Sequence, residues 1–460
     1  MGNLAVRAAD LLALFGILAV SIVAVAALVV IWREAEKKRP SGLPLRTILW
    51  TMTLATGVVN LLTVLEQGGT AETLTDIAGV VFPGVLLVAV LAAFKNPGRS
   101  TTPLVPVGLV AFSLILIVSA LLNSQFTEVT RLIAAGILYL PGLVVAIWKT
   151  TASADAIRST VRHICLTIVW ASLVLLAINP TAAMGDLPRR VTIGDLPFRV
   201  AGVTPHPNLL AFIAAVGLIL VLKHKSRLRL VHVAAIAVIL VLAEARSLTI
   251  GLAVALALYW IIAGRGSRAV RTFAAVLVGL PIAVFAWPAI DDAFNDSTLG
   301  SDVTTLNSRT VVWNLVGRYW VDHPVLGWGP FTFNDATHSP ASSLFFNHAH
   351  NQLLEALIEG GLVGLLLMVV SLGVVTWYAI TTRDVVYAAT AVITLIFAAT
   401  EVPLTLHNYG FNFPVLVGAV ILAILVPGPV DADMSLRGRL ELDRAATRRG
   451  RRLGALPARV

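Results

Sequence analysis

Apolar runs of about twenty residues recur along the whole of this chain, and a run of that length suits a helix crossing the roughly 30 Å of hydrocarbon in a bilayer. The composition agrees. Of 460 residues, 57 % are apolar and 13 % charged, against roughly 25 % charged in soluble domains, and the mean hydropathy is +0.87. The expected fold is therefore all-α: a polytopic integral membrane protein with about 12–13 transmembrane helices and a helical extracytoplasmic loop. Spans are expected near 9–32, 45–65, 77–94, 104–123, 130–149, 161–178, 205–222, 230–244, 247–264, 270–288, 352–380, 385–401 and 408–427. The first apolar stretch, Leu11–Trp32, is too long for a signal-peptide core and reads as a retained span. Cys165 is the single cysteine and lies inside an apolar run, so no intrachain disulfide forms.

Charge sets the orientation. The formal net charge is +9, and the basic residues segregate by loop. Arg33, Lys37, Lys38, Arg39 and Arg46, the Lys223–Arg229 loop and the Arg-rich segment after Val430 all fall on one side. The other side holds only Arg7, Arg131, Arg189, Arg190, Arg199, Arg246, Arg309 and Arg318. The richer side is cytoplasmic by the positive-inside rule, which accounts for the charge without nucleic acid. The basic tail then rests near anionic membrane lipid. Five segments follow: N-terminal helices over 1–180, central helices over 181–288, an extracytoplasmic loop over 289–350, C-terminal helices over 351–428 and a basic cytoplasmic tail over 429–460.

Ionisable groups are costly inside a bilayer, about 2.5–3.5 kcal/mol each, so where they gather marks a pathway or a site. No Asp, Glu or Lys stands in the middle of a span, which disfavours an ion relay; the unusual residues gather at outer ends instead. Between Arg229 and Arg265, two crossings and a turn share fewer residues than two full spans need, so the turn "EARS" is expected to sink below the outer surface. Arg246 would then meet a lipid head group there, or else simply pair with Glu244. In "VTPHPNLLAF", Pro207 suits a first helical turn and sets His206 and Asn208 at a helix entrance, as site residues or as ordinary helix-start chemistry. "NSRTVVWNLVGRYWVDHPVLGWGPF" places Val312, Leu315, Val316 and Tyr319 at helical spacing and carries Arg309 and Arg318. This segment reads as an amphipathic helix on the membrane surface, followed by a turn in which Gly327 and Gly329 supply backbone freedom.

The segment "NHAHNQLLEALIEGGLVG" puts His348, His350 and Asn351 at the doorstep of a long apolar helix. A zinc site would need a third protein ligand, with His323 and His338 as the histidines on offer. A helix N-terminus attracts phosphate, and the same field with nearby arginines favours the neutral imidazole a general base requires.

At these residues the chain resembles the bacterial O-antigen ligase and polymerase family of membrane glycosyltransferases. His350-Asn351, nine residues and Gly361-Leu362 resemble the family's histidine signature, and "SRTVVW…HPVLGWGPF", "PHPNLLA" and "EARSLTIG" resemble three further segments in family order. Ala245 stands where the family's arginine motif has serine, and thirteen spans exceed the usual twelve or so. The resemblance implies a metal-independent, cofactor-free inverting glycosyltransferase at the outer face of a bacterial cytoplasmic membrane. It implies a glycan donor on undecaprenyl diphosphate and a lipid or glycan acceptor bearing the attacking hydroxyl. His350 would be the base, Arg246 and Arg309 would clamp the diphosphate, and Arg318, His206, Asn208, His348 and Asn351 would contact substrate. The alternative of another class is a transporter or flippase for lipid-linked sugars, which expects polar groups or broken helices near mid-membrane.

Overall fold

The computed structural model describes residues 104–123, 139–148, 153–184, 199–263, 304–330, 332–333, 348–382, 384–404 and 413–426, with scattered positions between 45 and 57. The expected spans near 9–32, 77–94 and 270–288, most of that near 45–65 and the basic tail lie outside the described residues. Among the described residues the chain is helical and contains no strand. The helices are α1 (Leu104–Leu122), α2 (Tyr139–Trp148), α3 (Ala154–Ile178), α4 (Pro180–Met184), α5 (Pro207–Lys223), α6 (Arg229–Ala243), α7 (Arg246–Ala263), α8 (Thr304–Trp320), α9 (Gln352–Thr381), α10 (Val385–Thr400) and α11 (Phe413–Leu425). Three of them, α1, α3 and α9, are long and apolar enough to cross a membrane, as an all-α polytopic membrane protein requires.

Apolar residues surround α5 on every side, and nearly all of it is buried, as befits a helix enclosed by others. It packs against α3, α6, α7, α10 and α11. Phe212 of α5 stacks on Phe397 of α10 with ring centroids 4.8 Å apart. Helical side chains four apart lie one above the other, so this stack sits one turn beneath Asn208 on α5 and Glu401 just past α10. Pro207 opens α5 and Thr400 closes α10, so His206 and Glu401 lie outside the helical spans.

The turn between α6 and α7 is short: Glu244 ends α6 in the left-handed conformation (φ 46°) and α7 begins at Arg246. Fifteen residues make α6, about 22 Å of helix at 1.5 Å per residue, less than a full hydrocarbon crossing.

The amphipathic face of α8 meets protein. Val312 and Val316 are fully buried in a small second core with Phe333, Ala349 and Ile358, flanked by Trp313, Tyr319 and Trp328. Beyond α8, the turn through Pro324–Gly329 is stitched onto α9. That helix kinks at Gly361 (φ 61°, ψ −159°), which frees backbone groups that must find partners elsewhere. The carbonyls of Ile358 and Glu359 accept from the N–H groups of Trp328 and Gly329 at 2.8 and 2.9 Å. In return, the N–H groups of Leu362 and Val363 donate to the carbonyls of Pro324 and Val325 at 2.9 and 3.2 Å. The end of α1 joins in, with Ser119 Oγ and Asn123 Nδ2 donating to the Gly327 carbonyl at 2.9 and 3.0 Å. Both glycines are obligatory here. A Cβ at Gly361 would lie 2.3 Å from the Val325 carbonyl carbon, and one at Gly327 (φ 70°) would lie 2.4 Å from that of Glu359.

Candidate active site

Three segments converge on one carboxylate. Glu401 Oε1 accepts from Asn208 Nδ2 at 2.7 Å and from Arg309 Nη2 at 3.0 Å. Its Oε2 lies 3.3 Å from His350 Nδ1 and 3.9 Å from His348 Nε2. Asn208 is itself held by Arg199, whose Nη2 donates to Asn208 Oδ1 at 3.0 Å and whose Nε donates to the Ala243 carbonyl at 3.3 Å. Burial alone would favour the neutral acid, but the His350 contact, Arg309 and His348 outweigh it and hold the Glu401 carboxyl down at about 2.

The loop before α9 is fixed by its own hydrogen bonds. Asn351 caps the helix, its Oδ1 accepting from the N–H groups of Leu353 and Leu354 at 2.9 and 3.2 Å, while its Nδ2 donates to the Ala399 carbonyl at 3.2 Å. Glu355 Oε2 accepts from the Ala349 N–H at 2.6 Å, and Trp313 Nε1 of α8 donates to the Ala349 carbonyl at 3.0 Å. His350 is held with φ at 51°, a conformation that costs a non-glycine residue about 1–3 kcal/mol and that clusters at functional sites.

These partners determine what each neutral imidazole can do. His348 Nδ1 accepts from the His350 N–H at 3.1 Å, and His206 Nδ1 accepts from the Asn208 N–H at 3.2 Å. In both rings the proton therefore sits on Nε2, which makes them donors. Burial pushes the His206 imidazole down to about 4, with Arg199 and Arg309 adding to the effect and Glu401 opposing it, so it stays neutral in that role. His350 is reversed. With Nδ1–H donating to the ionised carboxylate, the neutral ring carries its lone pair on Nε2. The rings of His348 and His350 lie 4.1 Å apart.

Most of the expected site residues are brought together, with some roles changed. His350, Arg309, Asn208 and His348 surround Glu401. His206 and Asn351 stand beside them chiefly as helix caps. The backbone of Arg246 opens α7 beside the site, since Ser247 Oγ lies 3.4 Å from Thr400 Oγ1. Arg318 stays outside the cluster. It follows Arg309 by nine residues on α8, which at 3.6 residues per turn turns it to the opposite face, where it is exposed.

Glu401 and Arg199 had no motif to announce them. The one signal for Glu401 was its place as a carboxylate at the end of an apolar run. Its arrival changes the metal question. Ligand atoms of His348, His350 and Glu401 lie within 4.8 Å of one another, so the third ligand sought among His323 and His338 is an acid. Two histidines and a glutamate are a donor set that zinc accepts. Here, though, Arg309 and Asn208 already engage that carboxylate, and the guanidinium repels a cation.

A model of the O-antigen ligase family matches residues 232–369. The chain carries an O-antigen ligase domain. The match takes in most of α6, all of α7 and α8, the loop bearing His348 and His350, and α9 through the kink at Gly361. Arg199, His206, Asn208 and Glu401 lie on either side of it, so the ligase domain meets the rest of the bundle at the site. None of the curated proteins compared with the chain matches it. The ligase domain supports a membrane glycosyltransferase of the ligase or polymerase kind, with a lipid-linked glycan and an acceptor as its partners.

Proposed function

We propose that the protein moves a glycan from undecaprenyl diphosphate to an acceptor hydroxyl at the outer face of a bacterial cytoplasmic membrane, with inversion at the anomeric carbon. The observation that carries this reading is the 3.3 Å contact of His350 Nδ1 with Glu401 Oε2, which in the neutral ring places the lone pair on Nε2, where His206 and His348 would carry a proton. That nitrogen takes the proton of the acceptor hydroxyl as the oxygen bonds to the anomeric carbon. The bond from that carbon to the diphosphate oxygen breaks with its electron pair, and the lipid diphosphate leaves. Arg309 gives one N–H to Glu401, and the rest of its fork, together with Arg246, would offset the charge developing on the diphosphate. His206 and His348, as Nε2–H donors, suit sugar or phosphate oxygens. The acceptor is a lipid or a glycan.

A flippase reading draws no support from the site, because the polar cluster sits at helix ends rather than at broken helices near mid-membrane. The deciding experiment uses the full chain purified in detergent with lipid-linked glycan and acceptor, and follows release of the lipid diphosphate. His350→Ala should lower turnover at least about a hundredfold while donor binding survives. Unchanged turnover in that variant would exclude general-base transfer. A second reading, metal-assisted transfer, is favoured by the His348, His350 and Glu401 triad; under the base mechanism a chelator leaves turnover unchanged, and chelator-sensitive turnover restored by zinc would replace that mechanism.

A further inference from the structure

At the other end of α5 from Glu401, a second group of basic and imidazole side chains closes round a cavity. The seventeen residues of α5 put about 25 Å of helix between the two places. The cavity has a volume of about 100 Å³ and is lined by Arg162, His163 and Leu166 of α3, Val221 at the end of α5, and His224, Ser226, Arg229 and His232 from the following turn and α6. One water needs only ~10–15 Å³ of such space, so the cavity has room for a larger polar group.

Apart from Leu166 and Val221, the lining consists of basic, imidazole and hydroxyl side chains. Arg162 Nη2 donates to Ser159 Oγ at 3.2 Å, which takes one of its N–H groups and aims the fork. Among the described residues neither Arg162 nor Arg229 has an acidic partner. Among the described residues, the carboxylates at this end, Asp155 and Asp384, do not line the cavity. Asp384 is taken by Arg158 and by capping α10. His232 is fixed as a donor too, because its Nδ1 accepts from Trp170 Nε1 at 3.2 Å, which leaves the proton on Nε2. Ser226 Oγ accepts from the Leu228 N–H at 3.2 Å, so its own hydroxyl proton points elsewhere. Arg46 and His224 both lie near enough to His163 to act on it electrostatically. A concave site with two guanidiniums, several neutral N–H or O–H donors and no lining carboxylate is complementary to an anion.

The surroundings are apolar and open. Leu230 is 81 % exposed and Val231 50 %, and Trp170 stands exposed beside His232.

We propose that this cavity binds a phosphate group, bridged by Arg162 and Arg229, on the membrane face opposite the transferase site. The phosphate belongs to an anionic phospholipid head group, whose chains would lie along Trp170 and Val231, or to a soluble phosphate. Occupancy ties α3 to the α5–α6 turn. Nothing in this depends on glycan transfer, so the two readings fail separately.

The test compares the full chain in neutral detergent with added phosphatidylglycerol, phosphatidylcholine or inorganic phosphate at constant ionic strength, reading the thermal midpoint and lipid retention by native mass spectrometry. Phosphatidylglycerol should bind and stabilise where phosphatidylcholine does not. Arg162→Gln and Arg229→Gln should each weaken it at least about tenfold, the scale of losing one charge-assisted contact. Among the described residues the Arg229 side chain makes no hydrogen bond or ion pair, so Arg229→Gln remains informative should Arg162→Gln fail to fold. Lys225→Gln, in the same turn but outside the cavity, should bind as the parent does. Stabilisation by inorganic phosphate alone identifies a soluble ligand. The proposal is overturned if neither phosphatidylglycerol nor phosphate exceeds phosphatidylcholine, or if Lys225→Gln weakens binding as much as the cavity variants.

Discussion

Replacing Glu401 with glutamine alters little in shape and inverts the chemistry of His350. The Oε1 side accepts from Asn208 and Arg309 at 2.7 and 3.0 Å, so the amide oxygen of the variant stays there. The amide nitrogen then takes the place of Oε2, 3.3 Å from His350 Nδ1, where it can only donate. Nδ1 becomes the acceptor, the ring proton moves to Nε2, and the lone pair that would receive the acceptor's proton is gone. General-base catalysis is worth typically ~10²–10⁴-fold, and in a serine protease the equivalent acid-to-amide change behind the imidazole costs about 10⁴ through the wrong tautomer. Turnover should therefore fall by about 10²–10⁴, and donor binding should change far less. The assay is release of lipid diphosphate by the purified full chain, with donor affinity measured separately, in a cycle with His350→Ala. If Glu401 acts through His350, adding Glu401→Gln to His350→Ala should cost less than about twofold, because residues acting as a unit are non-additive. Multiplying losses would show that Glu401 serves only as the counter-ion of Arg309. A variant with the parent's turnover would refute the tautomer argument outright.

Arg246→Lys and Arg309→Lys keep the charge but lose the planar fork, so each should lower turnover markedly with the protein still inserted, while Lys225→Ala at the far end should not; full activity of both would remove the clamp. Gly361→Ala should abolish transfer and a folded elution profile on size exclusion, since its Cβ would meet the Val325 backbone at 2.3 Å at a φ of 61°. Gly373→Ala, with nothing within 4 Å, should leave both unchanged. For orientation, Ser100→Cys should be shielded from an impermeant thiol reagent in intact cells and Ser301→Cys labelled; the reverse pattern would invert the assignment of faces.

Helices were readable from sequence because each depends on a local apolar run: α1, α5, α6, α7, α9 and α10 start and stop within two residues of the expected spans. By contrast α3 begins at Ala154 rather than near 161, because Ser153 caps it, accepting from the Ala156 N–H, and Arg158 finds Asp384. The apolar stripe of α8 was equally plain, but a stripe does not say whether lipid or protein will cover it, and α9 does. Arg309 and Arg318 looked alike as two arginines on one segment until the helix fixed their opposite faces. Glu401 was the hardest to foresee. It stands fifty-one residues from His350, and the antiparallel return of α10 beside α9, where Asn351 donates to the Ala399 carbonyl, brings it to the imidazole.

The nine residues between Asn351 and Gly361 act as a ruler. They form a rigid rod of about 14 Å with the His350 loop at one end and the seat for the Pro324–Gly329 turn at the other. One added residue would swing that seat by about 100° around the helix axis, and the four backbone hydrogen bonds holding the turn would lose their partners together. The turn carries the end of α8 with it, and α8 carries Arg309. A fixed count between a histidine and a glycine is thus a statement about where an arginine on a different helix will stand. A deletion far from any reacting atom would then misplace Arg309 relative to His350, although every functional side chain was still present.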